Sequence, residues 1–161
     1  MPMAPFYSKF RDLAFEETRT VFLRNHESLL DGTYGFLEFY CNEIGCDCRR
    51  VLVQVIRPDT GTRVWASINF GWETPTFYRS WASGNPDDTA EMAAVTLDPI
   101  NPQSRHSNAL LKLFSDIVLT DAAYVQRLQR HYELFKGAAE PKRNTTVKLK
   151  RRRNSKTRDG V

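Results

Sequence analysis

The 161 residues predict an α+β fold: an antiparallel β-meander of three to four strands packed against C-terminal helices, followed by a disordered basic tail. Three features lead there. Apolar residues recur with a period of two between residues 33 and 71, they recur at helical spacing between 107 and 137, and the composition shifts abruptly after residue 140.

Residues 18–24 form a short β-rich run that can join the sheet as an edge strand. Residues 33–41 alternate more clearly, with Leu37, Phe39 and Cys41 on one face and Phe36, Glu38 and Tyr40 on the other. Residues 49–57 repeat the pattern through Val51, Val53 and Val55. Pro58 and Gly61 then supply turn chemistry, so residues 63–71 are expected to double back antiparallel with Val64, Ala66, Ile68 and Phe70 on one side.

After Trp72 the period changes, and residues 75–82 suit a short helix that begins at a proline. Residues 90–96 fit a short helix or an edge strand equally well. Pro99 and Pro102 make residues 97–105 an ordered loop or a surface crossover. Ser107 or Asn108 caps the next helix, whose stripe is Leu110, Leu113, Phe114, Ile117 and Val118. Thr120 and Asp121 resemble a fresh N-terminus, after which Tyr124, Val125, Leu128, His131, Tyr132 and Phe135 continue at helical spacing until Gly137 is expected to stop the helix. The two helices form a hairpin on one sheet face.

Composition narrows the function classes. With 41% apolar or aromatic residues and 26% charged, the chain fits a soluble domain with a real core, not a collagen, a disulfide scaffold or a wholly disordered polymer. It contains no run of 18 apolar residues, and its N-terminus lacks a basic segment followed by an unbroken apolar one. The expected address is therefore the cytoplasm, with neither membrane insertion nor secretion. A nucleophile elbow, a phosphate loop, a dinucleotide fingerprint and a His-rich zinc-protease helix are all missing from the sequence.

Charge divides the chain in two. Residues 1–140, the expected globular domain, hold 14 Lys/Arg against 18 Asp/Glu, a net −4. Residues 141–161 hold nine Lys/Arg against Asp159 alone, a net +8, and have too few apolar side chains to offset the entropy of ordering them. The compact run containing Lys148, Lys150, Arg151, Arg152 and Arg153 suits contacts to the phosphates of RNA or DNA, with affinity that falls steeply as salt rises. A solvated tail that aids solubility or meets an acidic partner explains the same composition equally well.

The sharpest chemical signal is Cys41, Cys46 and Cys48, three sulfurs within eight residues at the mouth of the expected hairpin. In a reducing compartment this clustering favours metal over disulfide. Three thiolates supply three of the four ligands that tetrahedral Zn²⁺ takes, at about 2.3 Å each. Gly45 lets the connection bend, and Arg49 and Arg50 are expected to lower the thiol pKa values and ease deprotonation. His106, in the irregular loop before the first long helix, is the leading candidate for the fourth ligand, with His26, His131, Asp47 and Glu43 behind it; His131 fits a core stripe better. An iron–sulfur cluster lacks its fourth cysteine, and a Cys41–Cys48 disulfide or a Cys46/Cys48 exchange pair are the non-metal readings.

Two further constellations are weaker. Glu73 and Asp98 form an acid/base pair only if folding brings them together. Phe36, Tyr40, Trp65 and Trp72 offer base-stacking surfaces only if the C-terminal helices leave them uncovered, and burial beneath those helices is the favoured reading. The function expected from the whole is a small zinc-stabilised binding or adaptor module for nucleic acid or a ribonucleoprotein. The alternative is a thiol- or zinc-dependent enzyme using Cys41, Cys46 and Cys48.

Overall fold

The computed structural model describes residues 2–82 and 91–139. They fold as an α+β structure around one antiparallel sheet of six strands, with β1 at Met3–Pro5, β2 at Arg19–Leu23, β3 at Gly32–Cys41, β4 at Arg50–Ile56, β5 at Val64–Gly71 and β6 at Val95–Leu97. The helices are α1 (Arg11–Glu17), α2 (Pro75–Ala82), α3 (Ser107–Thr120) and α4 (Ala122–Ala139). Strands β3, β4 and β5 make the expected meander. On its outer edge, β1 and β2 share β3 end to end: Met3–Pro5 pairs with the Phe39–Cys41 end, and Arg19–Leu23 with the Gly32–Phe36 end.

The period-two pattern sorts side chains onto two faces. Cross-strand rows Phe36–Val55–Ala66, Glu38–Val53–Ile68 and Val51–Phe70 form the inner face. Onto it pack Leu110, Phe114 and Ile117 of α3 and Leu128, Tyr132 and Phe135 of α4, all buried. Phe114 meets Phe36 and Phe70 edge-on, at 5.8 and 6.0 Å between ring centroids, and Phe135 lies 5.8 Å from Tyr40. Each such buried apolar side chain contributes about 1.5–3 kcal/mol, so this helix–sheet layer is the main source of stability.

Phe36, Tyr40 and Trp65 are therefore buried, and Trp72 packs against Tyr132 at 5.3 Å. These rings line the core and leave no stacking platform.

Opposite lies a face covered only in part, with rows Leu37–Gln54–Ser67 and Phe39–Leu52–Asn69. Leu97 ends β6, and residues 98–105 fold over the β5 edge as an ordered loop. Gln103 there imitates a strand: its Oε1 accepts from Ser67 N (3.1 Å) and its Nε2 donates to Ser67 O (2.8 Å). Ser104 N donates to Trp65 O at 3.1 Å.

Two expectations need correction. Neither Ser107 nor Asn108 caps α3: His106 stands at the N-cap position, and no side chain caps the helix. Gly137 does not end α4, which runs to Ala139; Gly137 is absent from the positive-φ glycines and so does not act as a left-handed cap. The short β1 and α1 were not anticipated. Lys148, Lys150, Arg151, Arg152 and Arg153 lie outside the described residues. No helix among those described is long and apolar enough to cross a membrane.

Candidate metal centre

Cys41 closes β3 and Cys48 stands two residues before β4, so the strand pairing that aligns Phe39 with Leu52 also delivers both sulfurs to the same end of the sheet. Cys46 reaches them from the connection, where Gly45 takes φ 77° and Arg49 φ 45°. Both residues sit in the left-handed region, free of cost for glycine and uncommon for arginine. The three Sγ atoms lie within 4.8 Å of one another, Cys41 and Cys48 buried and Cys46 half-buried, and none is in a disulfide.

Backbone amides point at the sulfurs in a repeated pattern. Glu43 N donates to Cys41 Sγ at 3.4 Å, and Arg50 N donates to Cys48 Sγ, in each case from two residues downstream. Such donors stabilise thiolate. Lys136 of α4 adds a cation and a clamp, its Nζ donating to Glu43 O (2.6 Å) and Cys41 O (3.4 Å).

The expected lowering of the thiol pKa values by Arg49 and Arg50 is not found. Burial pushes the Cys48 thiol up to about 12, and the neighbouring Cys41 and Cys46 sulfurs add to it; Cys46 is raised by burial and then by Cys41. Arg49 is engaged elsewhere. It donates to Asp47 (2.9 to 3.1 Å) and to Glu73 (3.0 Å), and its guanidinium covers the Phe77 ring at 4.5 Å. Those bonds hold the Asp47 carboxyl below its ordinary value. Without a metal the Cys46 and Cys48 thiols stay protonated at neutral pH, and a bound divalent cation would supply the charge that permits their deprotonation.

The three sulfurs fit a metal. Tetrahedral thiolates around Zn²⁺ stand about 3.8 Å apart, so the cluster needs to contract by about 1 Å at most.

His106 is not part of it. Its ring lies 5.4 Å from that of Trp65, near the end of β5 remote from Gly71, whereas Gly71 is the residue that pairs with Arg50 beside the cysteines. His26 accepts from Ser28 N and Leu29 N in its own turn, and His131 is buried between two glutamates. Among the described residues the ligand group contains the three cysteines and no fourth side chain. Glu73 and Asp98 do not meet either: Glu73 pairs with Arg49, and Asp98 with Asn69 and Asn101.

Lys136 and Tyr132 were not apparent from sequence. They come from a helix nearly a hundred residues downstream, and no local motif links that helix to the cysteine loop. Together with Gly45, Cys46 and Asp47 they line a cavity of about 220 Å³ beside Cys46.

Comparison with protein-family models, with curated proteins and with solved structures finds no match to this chain.

Proposed function

We propose that this chain binds one Zn²⁺ through Cys41, Cys46 and Cys48, and that the ion pins the β3–β4 connection to the sheet end and to α4. The observation that carries the reading is the approach of three sulfurs to within 4.8 Å without a disulfide. Reduced thiols suit the cytoplasm. On this reading the protein is a metal-stabilised binding module, and its basic segment 141–161 engages the phosphates of RNA or of a ribonucleoprotein.

Metal analysis of protein purified without chelator tests the first half. One zinc per chain is expected, with a fall in Tm on chelation and a joint loss of zinc and stability in Cys46→Ser. Substoichiometric metal, with no rise in Tm when zinc is added, overturns it. Deleting 141–161 tests the second half: Tm should stay the same while salt-sensitive RNA binding disappears, and binding that persists removes the segment from the function.

The cavity beside Cys46 favours one second reading, in which the fourth metal position admits a substrate and Tyr132 and Lys136 face it. Turnover that is lost in Cys46→Ser with the fold intact would select that reading.

A further inference from the structure

The half-covered sheet face holds a cavity of about 470 Å³, within the size range of small-molecule sites. Phe39, Leu52 and Ile100 give it apolar walls, and Arg50, Gln54 and Asn69 stand among them. Arg50 is the anomaly. Its Nε is buried with no hydrogen-bond partner, and among the described residues its guanidinium makes neither a hydrogen bond nor an ion pair. Arg50 is half-buried, and a guanidinium with a desolvated Nε and no acceptor is costly; a planar oxyanion is the natural counterpart of its fork.

The acid on the cavity wall does not fill that role. Asp98 Oδ1 accepts from Ile100 N, Asn101 N and Asn101 Nδ2 at 2.8 to 2.9 Å, and Oδ2 accepts from Asn69 Nδ2 at 2.7 Å. Four donors tie it to its own loop and to β5. The cavity thus has one unanswered cation and one fixed, already satisfied anion on its wall. That balance accepts a single negative charge and penalises a dianion.

We propose that this cavity binds the carboxylate of a small monoanionic organic acid, the carboxylate on Arg50 and an apolar body along Leu52, Phe39 and Ile100. Gln54, which makes no side-chain hydrogen bond among the described residues, lies one row beyond Leu52 on β4 and gives a second polar contact. The site is separate from the proposed zinc centre, although Cys48 lines the same cavity.

The test is calorimetric titration of the full-length protein with hexanoate, hexanamide, inorganic phosphate and an N-acetylated tripeptide of apolar residues with a free C-terminus. Hexanoate is expected to bind at least tenfold more tightly than hexanamide or phosphate. Arg50→Gln should lose at least tenfold, and Arg50→Lys, which keeps the charge without the fork, should fall between the two. Ile100→Trp, on the exposed rim, fills the cavity without touching the core and should abolish binding while preserving Tm. If the tripeptide matches hexanoate, the carboxylate class stands and its source is a chain terminus. Three results overturn the proposal: hexanamide or phosphate binding as well as hexanoate, binding unchanged in both Arg50→Gln and Ile100→Trp, or hexanoate binding that survives Arg50→Gln yet vanishes with chelator. The last would transfer the anion to the metal centre.

Discussion

Glu38 Oε2, on the buried face of β3, lies 2.7 Å from His131 Nδ1 on α4. The other ring nitrogen, Nε2, lies 2.6 Å from Glu17 Oε2 at the end of α1, and Phe6 stacks on the imidazole at 4.2 Å. One side chain thereby joins sheet, first helix and last helix. Burial, the largest single influence, disfavours a charged ring, but the hydrogen bonds and attraction of Glu38 and then Glu17 outweigh it and raise the His131 pKa above 6.5. Glu17 moves the other way: its bond to His131, helped by Arg130, lowers it below 4.5 against the opposing effect of burial.

The signs of these shifts set a pH optimum. A raised histidine contributes stability that is complete below pH 6.5 and is lost as pH rises through the folded-state value. A lowered glutamate contributes stability that is complete above pH 4.5 and is lost as pH falls through its folded-state value. Urea midpoints measured from pH 4 to 9 should be highest between the two and decline on the alkaline side. His131→Gln should flatten that alkaline decline and cost about 3–5 kcal/mol by leaving Glu38 buried without its cation. A wild-type profile that stays flat from pH 6.5 to 9 would show that His131 is not charged in the fold.

Lys136 should behave as a support of the metal centre without being a ligand. Its ammonium bridges the carbonyls of Cys41 and Glu43, so Lys136→Met removes two charge-assisted contacts and frees the connection between β3 and Cys46. We expect zinc affinity to fall about tenfold, equivalent to about 1.4 kcal/mol, with stoichiometry kept at one. Competition with a chromogenic chelator measures it. An unchanged affinity would mean that the sulfurs hold the loop unaided.

Gly71 is packed too closely for any side chain. A Cβ there would collide with the Met92 carbonyl oxygen and with the Tyr78 hydroxyl, which itself donates to Arg49 O at 2.8 Å. Gly71→Ala should therefore displace Tyr78 from the cysteine connection and cost more than about 2 kcal/mol, whereas Tyr78→Phe, which deletes that bond and the longer one accepted from Glu73 N at 3.4 Å without moving the ring, should cost about 1 kcal/mol. Equal losses in the two variants would mean that the clash relaxes without cost.

Local pattern was enough to read β3, β4, β5, α2 and the α3–α4 break at Asp121, because each depends on a period or a cap written in adjacent residues. The cysteine cluster was legible for the same reason: its members are close in sequence, and one hairpin brings them together. What escaped depends on long-range contact. Met3–Pro5 has three residues and a proline, and becomes a strand only because the Phe39–Cys41 edge is available to it. The placement of His106 failed similarly, since a loop crossing from β6 to α3 can reach either end of the sheet, and hydrogen bonds from Gln103 and Ser104 to β5 settle which. Glu38 read as an ordinary mid-strand carboxylate until His131, 93 residues away, supplied its partner.

Those loop contacts yield the last prediction. Ser67 is buried, and both its backbone groups are answered by one side-chain amide, Gln103, whose Nε2 also reaches Asp98 O at 2.9 Å. Gln103→Glu keeps the acceptor for Ser67 N but sets an oxygen against the carbonyls of Ser67 and Asp98. Gln103→Leu keeps the volume and strands Ser67 N and Asp98 O, while Ser67 O keeps the Asp98 N–H at 2.8 Å. Each is expected to cost about 2–3 kcal/mol, and amide exchange should rise first at Ser67, whose backbone groups lose the side-chain amide in one variant and meet a carboxylate in the other. Since the loop also fixes Asp98 and Ile100 on the wall of the outer cavity, hexanoate binding should weaken in both variants while zinc stoichiometry stays at one. Loss of zinc along with the loop would instead mean that the two regions unfold as a unit.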